Sequence, residues 1–383
     1  MDRLRQNADR KTAGKQKKLF EYDWIRFAAM ICIFVFHFNS GLTDHGCALQ
    51  FLYRYAGRNL TIGQQGVTLF FILSGATSAL SMERMLNRGA QKTNIGAFAG
   101  NALAYYWKRI KAMYPPFWIA WIFAYVLLIM PDSALSRTFF LTVLGMDGYA
   151  EMSGVATAYL VGEWFLGAIL ILYLLLPFLF LLVKKFPVPA AVGIVLFYIL
   201  YFWFYPFSRM QETDALLRIP EFAFGIYFYL YIKKVDWRAA IISAAVFLVA
   251  AVTPIAKDNL NVVLVQGISA FLWMAWLGRF LGERKSVFAK VFRRVIQSVA
   301  GLSYGVFLLH HVIMEQIIGR DNYFQNITDF QGYLGVFFYS FALVIAGAVF
   351  LNHAKDAFNP LFSLLERKSK GRNRQEEMNG RQQ

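Results

Sequence analysis

Ten apolar stretches, each near the length that crosses a bilayer, decide what this chain can fold into. They lie at about 22–41, 66–82, 114–131, 162–183, 188–206, 215–232, 238–255, 260–281, 296–318 and 331–351. A sequence of 383 residues that is 58% hydrophobic and only 16% charged cannot hide that much apolar surface in a soluble core. In hydrocarbon every backbone polar group must be bonded within its own segment or a closed barrel, and runs this long and uniform fit helices. The expected fold class is therefore all-α: a polytopic membrane protein with about ten transmembrane helices.

Loop charges orient the bundle. Alternate gaps, counting from the N-terminal segment 1–20 to the tail after Lys355, hold 31 of the 39 Lys and Arg residues. The positive-inside rule then places both termini in the cytoplasm, in a cell inner (plasma) membrane. The net charge of +16 is spent on this bias, so nucleic acid is not an expected partner; the lipid bilayer is. The organisation expected is a basic leader at 1–20, a membrane domain at 21–355 and a basic tail at 356–383 that is too polar to fold alone. The leader and first apolar run imitate a secretory signal with a cleavage point near Asn39–Gly41, but the spans that follow favour an uncleaved helix. The inner gap 83–113 suggests an interfacial helix through Ala97–Lys108. Cys32 and Cys47 give neither a disulfide framework nor a metal spacing.

Within these spans, ionisable residues need a reason, because burying each in hydrocarbon costs a few kcal/mol or more. The first run, YDWIRFAAMICIFVFHFNSG, carries Arg26 and His37 separated by ten residues, nine of them Phe, Ala, Met, Ile or Val and one Cys. At ~1.5 Å per residue they stand roughly 16 Å apart along the axis, with Arg26 near the cytoplasmic face and His37 in the outer half. By the same orientation Ser74 falls near mid-membrane, and Glu163, Trp164, Arg218, Glu221, His310, His311 and Glu315 fall in the outer half. Five helices thus offer polar groups at similar depth, the pattern of a site. Structural roles compete: Glu163, Arg218 and Glu315 can snorkel, Trp164 can anchor at the interface, and Ser74–Gly75 can mark close helix packing. Adjacent histidines point ~100° apart on a helix, so at most one of His310 and His311 is expected to share a cavity with His37. On the inner side Arg26, Lys108, Arg109 and Lys111 make a cationic group suited to phosphates, although ordinary anchoring also explains the last three. No zinc-type His/Glu spacing, phosphate-binding glycine loop or Gly-x-Ser-x-Gly elbow appears, so no metal and no nucleotide hydrolysis are expected.

Taken in order, these segments resemble the integral-membrane acyltransferase family 3, whose members O-acylate cell-surface glycans and other hydroxylated acceptors. WIRFAAMICIFVFHF is similar to the family's first helix, GVTLFFILSG at 66–75 to its second, and KRIKAMYPPFW at 108–118 to the basic segment ending in Tyr-Pro. EWFLGAILILYLLLP at 163–177, LRIPEFAFGIYFYL at 217–230 and GLSYGVFLLHHVI at 301–313 are similar to three further motifs. Two positions depart: Thr68 stands where an acidic residue is frequent, and Ala112 where an arginine often precedes the Tyr-Pro.

The resemblance implies an acyl group, most simply acetyl, carried from cytoplasmic acyl-CoA to the hydroxyl of a cell-surface or lipid-linked glycan. Acyl-CoA would be a co-substrate rather than a bound cofactor, and glycan-assembly proteins would be natural partners. It implies His37 as general base, Arg26 with Lys108, Arg109 and Lys111 on the donor, and Ser74, Trp164, Arg218, Glu221 and His310 towards the acceptor. The competing class is a transporter or flippase of a lipid-linked glycan that uses the same polar path without covalent transfer. Such proteins often carry inverted repeats, and none is evident here.

Overall fold

The structure is a computed structural model. It describes residues 19–47, 62–88, 95–128, 138–151, 153–155, 161, 163–205, 211–252, 260–319, 327 and 329–365. The leader up to residue 18 and the tail from 366 lie outside the described residues, as do large parts of the gaps 42–65 and 132–161.

Among the described residues every ordered element is helical. The chain runs through α1 (Phe20–Asp44), α2 (Ile62–Arg88), α3 (Ile95–Leu128), two short helices α4 (Phe139–Val143) and α5 (Asp147–Glu151), then α6 (Glu163–Lys185) and α7 (Pro187–Trp203). It continues through α8 (Ile219–Tyr227, extended by a π turn over Phe228–Ile232), α9 (Trp237–Val252), α10 (Leu260–Glu283), α11 (Val287–Ala300), α12 (Ser303–Ile318) and α13 (Phe330–Ala354). Each of the ten apolar stretches carries a helix. Among the described residues five helices are long and apolar enough to cross a membrane, or six if the bent pair α11–α12 is one span; α7, α8 with its π turn, and α9 are shorter apolar helices.

Two expectations change. The segment Ala97–Lys108 is no separate interfacial helix but the first half of the 34-residue α3, which runs on through Pro115 and Pro116. Nothing in Trp107–Met113 breaks a helix, since Lys, Arg, Ile, Ala and Met all favour one. Prolines inside a membrane helix are tolerated where neighbours satisfy the freed backbone, and here the Tyr304 hydroxyl donates to the Met113 carbonyl at 3.1 Å.

The ninth stretch, expected to be one span over 296–318, bends by 61° after Ala300. Of the six basic residues in 279–294, Lys290, Arg293 and Arg294 sit on α11 rather than in a loop, and the N-terminus of that helix is capped by the Ser286 hydroxyl accepting from the Ala289 amide at 3.1 Å. Val287, Phe288, Val291 and Val295 form an exposed apolar row on this helix, while Ile296 and Ala300 turn inward. A basic helix with such a row has the character of one lying at a membrane interface.

The helix α2 is the hub, packed against α1, α3, α6, α8 and α10. Its approach to α8 is set by two glycines facing opposite ways: a side chain on Gly75 would run into the Phe222 carbonyl, and one on Gly225 into the Ile72 carbonyl. Small residues let membrane helices meet backbone to backbone, so Gly75 has the packing role weighed for it. On the periphery, α7 and α9 expose rows such as Val188, Val192, Val195 and Ile199, and Ile241, Leu248 and Val252.

The short helix α5 packs on α6, where Gly167 leaves just enough room for the Tyr149 ring. Its first residue, Asp147, is buried, and burial pushes its carboxyl up from the usual 3.8 to about 7. The sign follows from linkage. A raised folded-state pKa contributes stability that is fully present below the unfolded value and is lost as pH rises through about 7. Asp147→Asn, which keeps the neutral shape, is expected to raise the unfolding temperature at pH 8 and leave it nearly unchanged at pH 5. Thermal unfolding of both forms in one detergent checks this, and equal profiles at both pH values would refute it.

Candidate active site

Among the described residues, two polar centres and a cavity gather the candidate side chains. The first centre joins α1 to α12. His37 is partly buried and His310 fully so. His310 Nδ1 lies 2.7 Å from the Phe307 carbonyl and 3.2 Å from that of Val306, and its Nε2 lies 3.0 Å from His37 Nδ1. Carbonyl oxygens only accept, so Nδ1 of His310 carries a proton. In neutral His310 the Nε2 must then accept, His37 donates through Nδ1–H, and the lone pair of His37 stands on its Nε2. A backbone carbonyl on α12 thus sets the tautomer of a histidine on α1.

The His311 ring lies 4.2 Å from that of His37, closer than the 4.9 Å to His310. The expectation that only one of the two histidines would meet His37 is corrected. Side chains of adjacent residues splay apart, but a ring from a facing helix can sit in the notch between them. Glu315, one turn further along α12, is turned to His45 instead, at 3.5 Å.

The second centre joins α2, α6 and α8. Arg218 is completely buried, and its Nη1 donates to Glu221 Oε1 at 2.7 Å, while its Nε donates to the Glu212 carbonyl at 2.9 Å. The Thr68 hydroxyl donates to the same Glu221 oxygen at 3.0 Å. Phe71 and Trp164 flank the guanidinium, with ring centres 5.6 and 5.8 Å from its carbon. Thr68, where an acidic residue was the family's habit, therefore stands beside a carboxylate supplied by Glu221 on α8. The connection between the two centres is aromatic: Phe71 packs on Phe165 at 4.8 Å, Phe165 on Phe307 at 5.4 Å, and Phe307 on His310 at 6.2 Å. Glu163 starts α6, and its side chain lies outside the described residues.

The cavity, of about 250 Å³, runs between α1, α2, α3, α6 and α12. Arg26 and Arg109 supply its cations, Ser74, Thr77, Tyr173, Ser303 and Tyr304 its hydroxyls, and Phe70, Phe165 and Phe307 its apolar wall. Arg26 Nη1 pairs with Asp23 at 3.0 Å, and Asp23 also accepts from Gln297 of α11 at 3.3 Å. Arg109 is fixed more firmly, donating to Tyr105 at 3.1 Å and to Ser78 at 2.6 Å beneath the Tyr173 ring at 4.3 Å.

Of the expected cationic group, then, two members share the cavity and two do not. Lys108 donates to Ser81 at 2.9 Å and Lys111 lies over Trp107 at 5.9 Å. Ala112 does line the cavity, and Arg109, three residues before it and so on the same face of α3, provides the guanidinium there. Tyr105, Tyr173, Ser78 and Asp23, which hold the two arginines, escaped sequence reasoning. The i, i+3 spacing of Asp23 and Arg26 was the one available signal, while tyrosines and serines in apolar helices are too common to stand out.

A family profile for the acyltransferase domain, type 3, matches residues 19–353. The chain belongs to the acyltransferase 3 family. No curated protein and no solved structure matches it. The match spans α1 to the end of α13, so the histidine pair, the buried Arg218–Glu221 pair and the two-arginine cavity all lie inside the family domain. As a member of this family the chain is a multi-pass membrane acyltransferase.

Proposed function

We propose that this acyltransferase moves an acyl group, most simply acetyl, from cytoplasmic acyl-CoA to a hydroxyl of a cell-surface or lipid-linked glycan, in the inner membrane and with both termini cytoplasmic. The observation that carries the reading is the chain of contacts from the Phe307 carbonyl through His310 to His37, on a helix that also brings Arg26 to the cavity.

The acceptor hydroxyl gives its proton to His37 Nε2 as its oxygen attacks the thioester carbonyl. The C–S bond then breaks, and the thiolate leaves with the proton from His37 as free CoA-SH. His310 stays neutral, holds the imidazole by its Nδ1–H and keeps Nε2 turned to the reaction. General base catalysis of this kind contributes ~10²–10⁴-fold. Arg26 and Arg109 hold donor phosphate or thioester oxygens, since a guanidinium offers a rigid fork of donors. The donor lies along α1 from Arg26 towards His37 and passes the Phe165–Phe307 wall. Ser74 and Tyr304 line its path. Arg218, Glu221 and Trp164 buttress the acceptor side through Phe71 and Phe165.

Purified protein supplied with radiolabelled acetyl-CoA and candidate glycans is expected to label a glycan; movement of a lipid-linked glycan without labelling would overturn the reading in favour of a flippase. Arg26→Ala is expected to raise the KM for acyl-CoA about 10-fold or more, with a smaller effect on kcat, consistent with the ~1.5–3 kcal/mol of a hydrogen bond to a charged group. An unchanged dependence of rate on acyl-CoA concentration would remove Arg26 from donor binding.

A further inference from the structure

The histidines at the end of α1 do not stop at a pair. One ring nitrogen from each of His37, His310 and His311 lies within 4.8 Å of the other two, with ring centres 4.2 to 4.9 Å apart. We propose that these three imidazoles form a zinc-binding site, and that zinc held there switches the acyltransferase off.

The donor set selects the metal. Three neutral imidazoles, joined by no carboxylate among the described residues, suit zinc and its late first-row neighbours, whereas calcium and magnesium demand oxygen ligands. The geometry is close to what zinc needs. With Zn–N bonds of about 2.0–2.1 Å, tetrahedral ligand nitrogens stand roughly 3.3 Å apart, and His310 Nε2 and His37 Nδ1 are already at 3.0 Å. His311, the exposed member, closes the remaining distance by turning about its own side-chain bonds. The outer shell is also in place: His310 donates its Nδ1–H to the Phe307 carbonyl, and a metal-ligating histidine is usually oriented by such a bond from its other nitrogen. Sequence spacing could not show this site, because two ligands are adjacent on α12 and the third comes from the far end of the chain.

Inhibition follows from the tautomer, and this step rests on the proposed role of His37. Zinc on His37 Nδ1 takes the nitrogen that donates to His310. The proton formerly on Nδ1 moves to Nε2, where the lone pair stood, and the base is converted into an N–H donor. No electrons are transferred and no bond of the substrate is touched. Three protein ligands leave a fourth position for water, so removing the metal restores the base.

The test uses the full-length protein, stripped with a chelator and exchanged into metal-free detergent buffer. Titration with zinc is expected to show one site per chain, magnesium none, and cobalt in place of zinc the visible absorption of a tetrahedral ion. His311→Ala should weaken zinc binding at least tenfold, and its acyl transfer, referred to its own metal-free rate, should resist zinc concentrations that silence the native protein. No stoichiometric zinc, or octahedral cobalt, would overturn the site directly, without reliance on the variant's fold. Equal zinc affinity in His311→Ala would overturn the assignment to this trio. Zinc bound at the trio with acyl transfer unimpaired would leave the site standing and overturn the switch, together with the role of His37 as base. A protein that transfers no acyl group at all would refute the proposed function, and the binding titration would still decide the site.

Discussion

Replacing His37 with alanine is expected to lower acyl transfer by ~10²–10⁴-fold, the range for losing a positioned general base, with unchanged membrane insertion and thermal unfolding. The side chain is only partly buried, and its bond to His310 joins two imidazoles. Added imidazole should restore part of the rate. His310→Gln removes the acceptor that holds His37 by Nδ1 but not the base itself. A smaller loss is therefore expected, with an altered dependence of kcat on pH because the tautomer is no longer set. Transfer of labelled acetate, measured beside a melting curve, distinguishes these outcomes. Full activity in His37→Ala would end its role.

The second large effect concerns stability. Glu221→Ala is expected to cost about 3–5 kcal/mol, because it leaves a completely buried arginine without its counter-charge. Even in the native protein Arg218 Nη2 and Glu221 Oε2 have no hydrogen-bond partner among the described residues, so little in the surroundings can compensate. Replacing the pair together, Arg218→Met with Glu221→Leu, should recover most of the loss, since matched apolar side chains need no partner. Equilibrium unfolding in mixed micelles measures both. A Glu221→Ala protein as stable as the native one would mean that Arg218 reaches water.

Helices and their order were legible because a bilayer demands long apolar runs, and those runs stand out from basic gaps. Breaks within a run were not. Gly301–Leu302 continues the apolar pattern without a proline, so the turn between α11 and α12 leaves no mark in hydropathy. Conversely, the charges at Lys108–Lys111 look like a loop although each favours a helix. The site was legible where chemistry is costly: His37, His310 and Arg26 were singled out because ionisable groups in hydrocarbon need a reason. Their grouping was not, since equal depth in a membrane does not mean contact. Arg218 and Glu221 proved to be one another's partners, separated from His310 by Phe71, Phe165 and Phe307.

The Arg26–Asp23 pair carries one more consequence. At Arg26 an arriving ligand does not meet a bare cation, because Asp23 at 3.0 Å already neutralises the guanidinium. Binding an anion there is an exchange of counter-ions, and the gain is only the difference between two attractions. A carboxylate or other monoanion, similar to Asp23 in charge and worse placed, gains almost nothing from Arg26. A ligand bearing several phosphates can displace Asp23 and engage Arg109 as well. Under the proposed role of this cavity in holding the acyl donor, selection of a polyanion over the small organic acids of a cell begins with a residue that never needs to touch the donor.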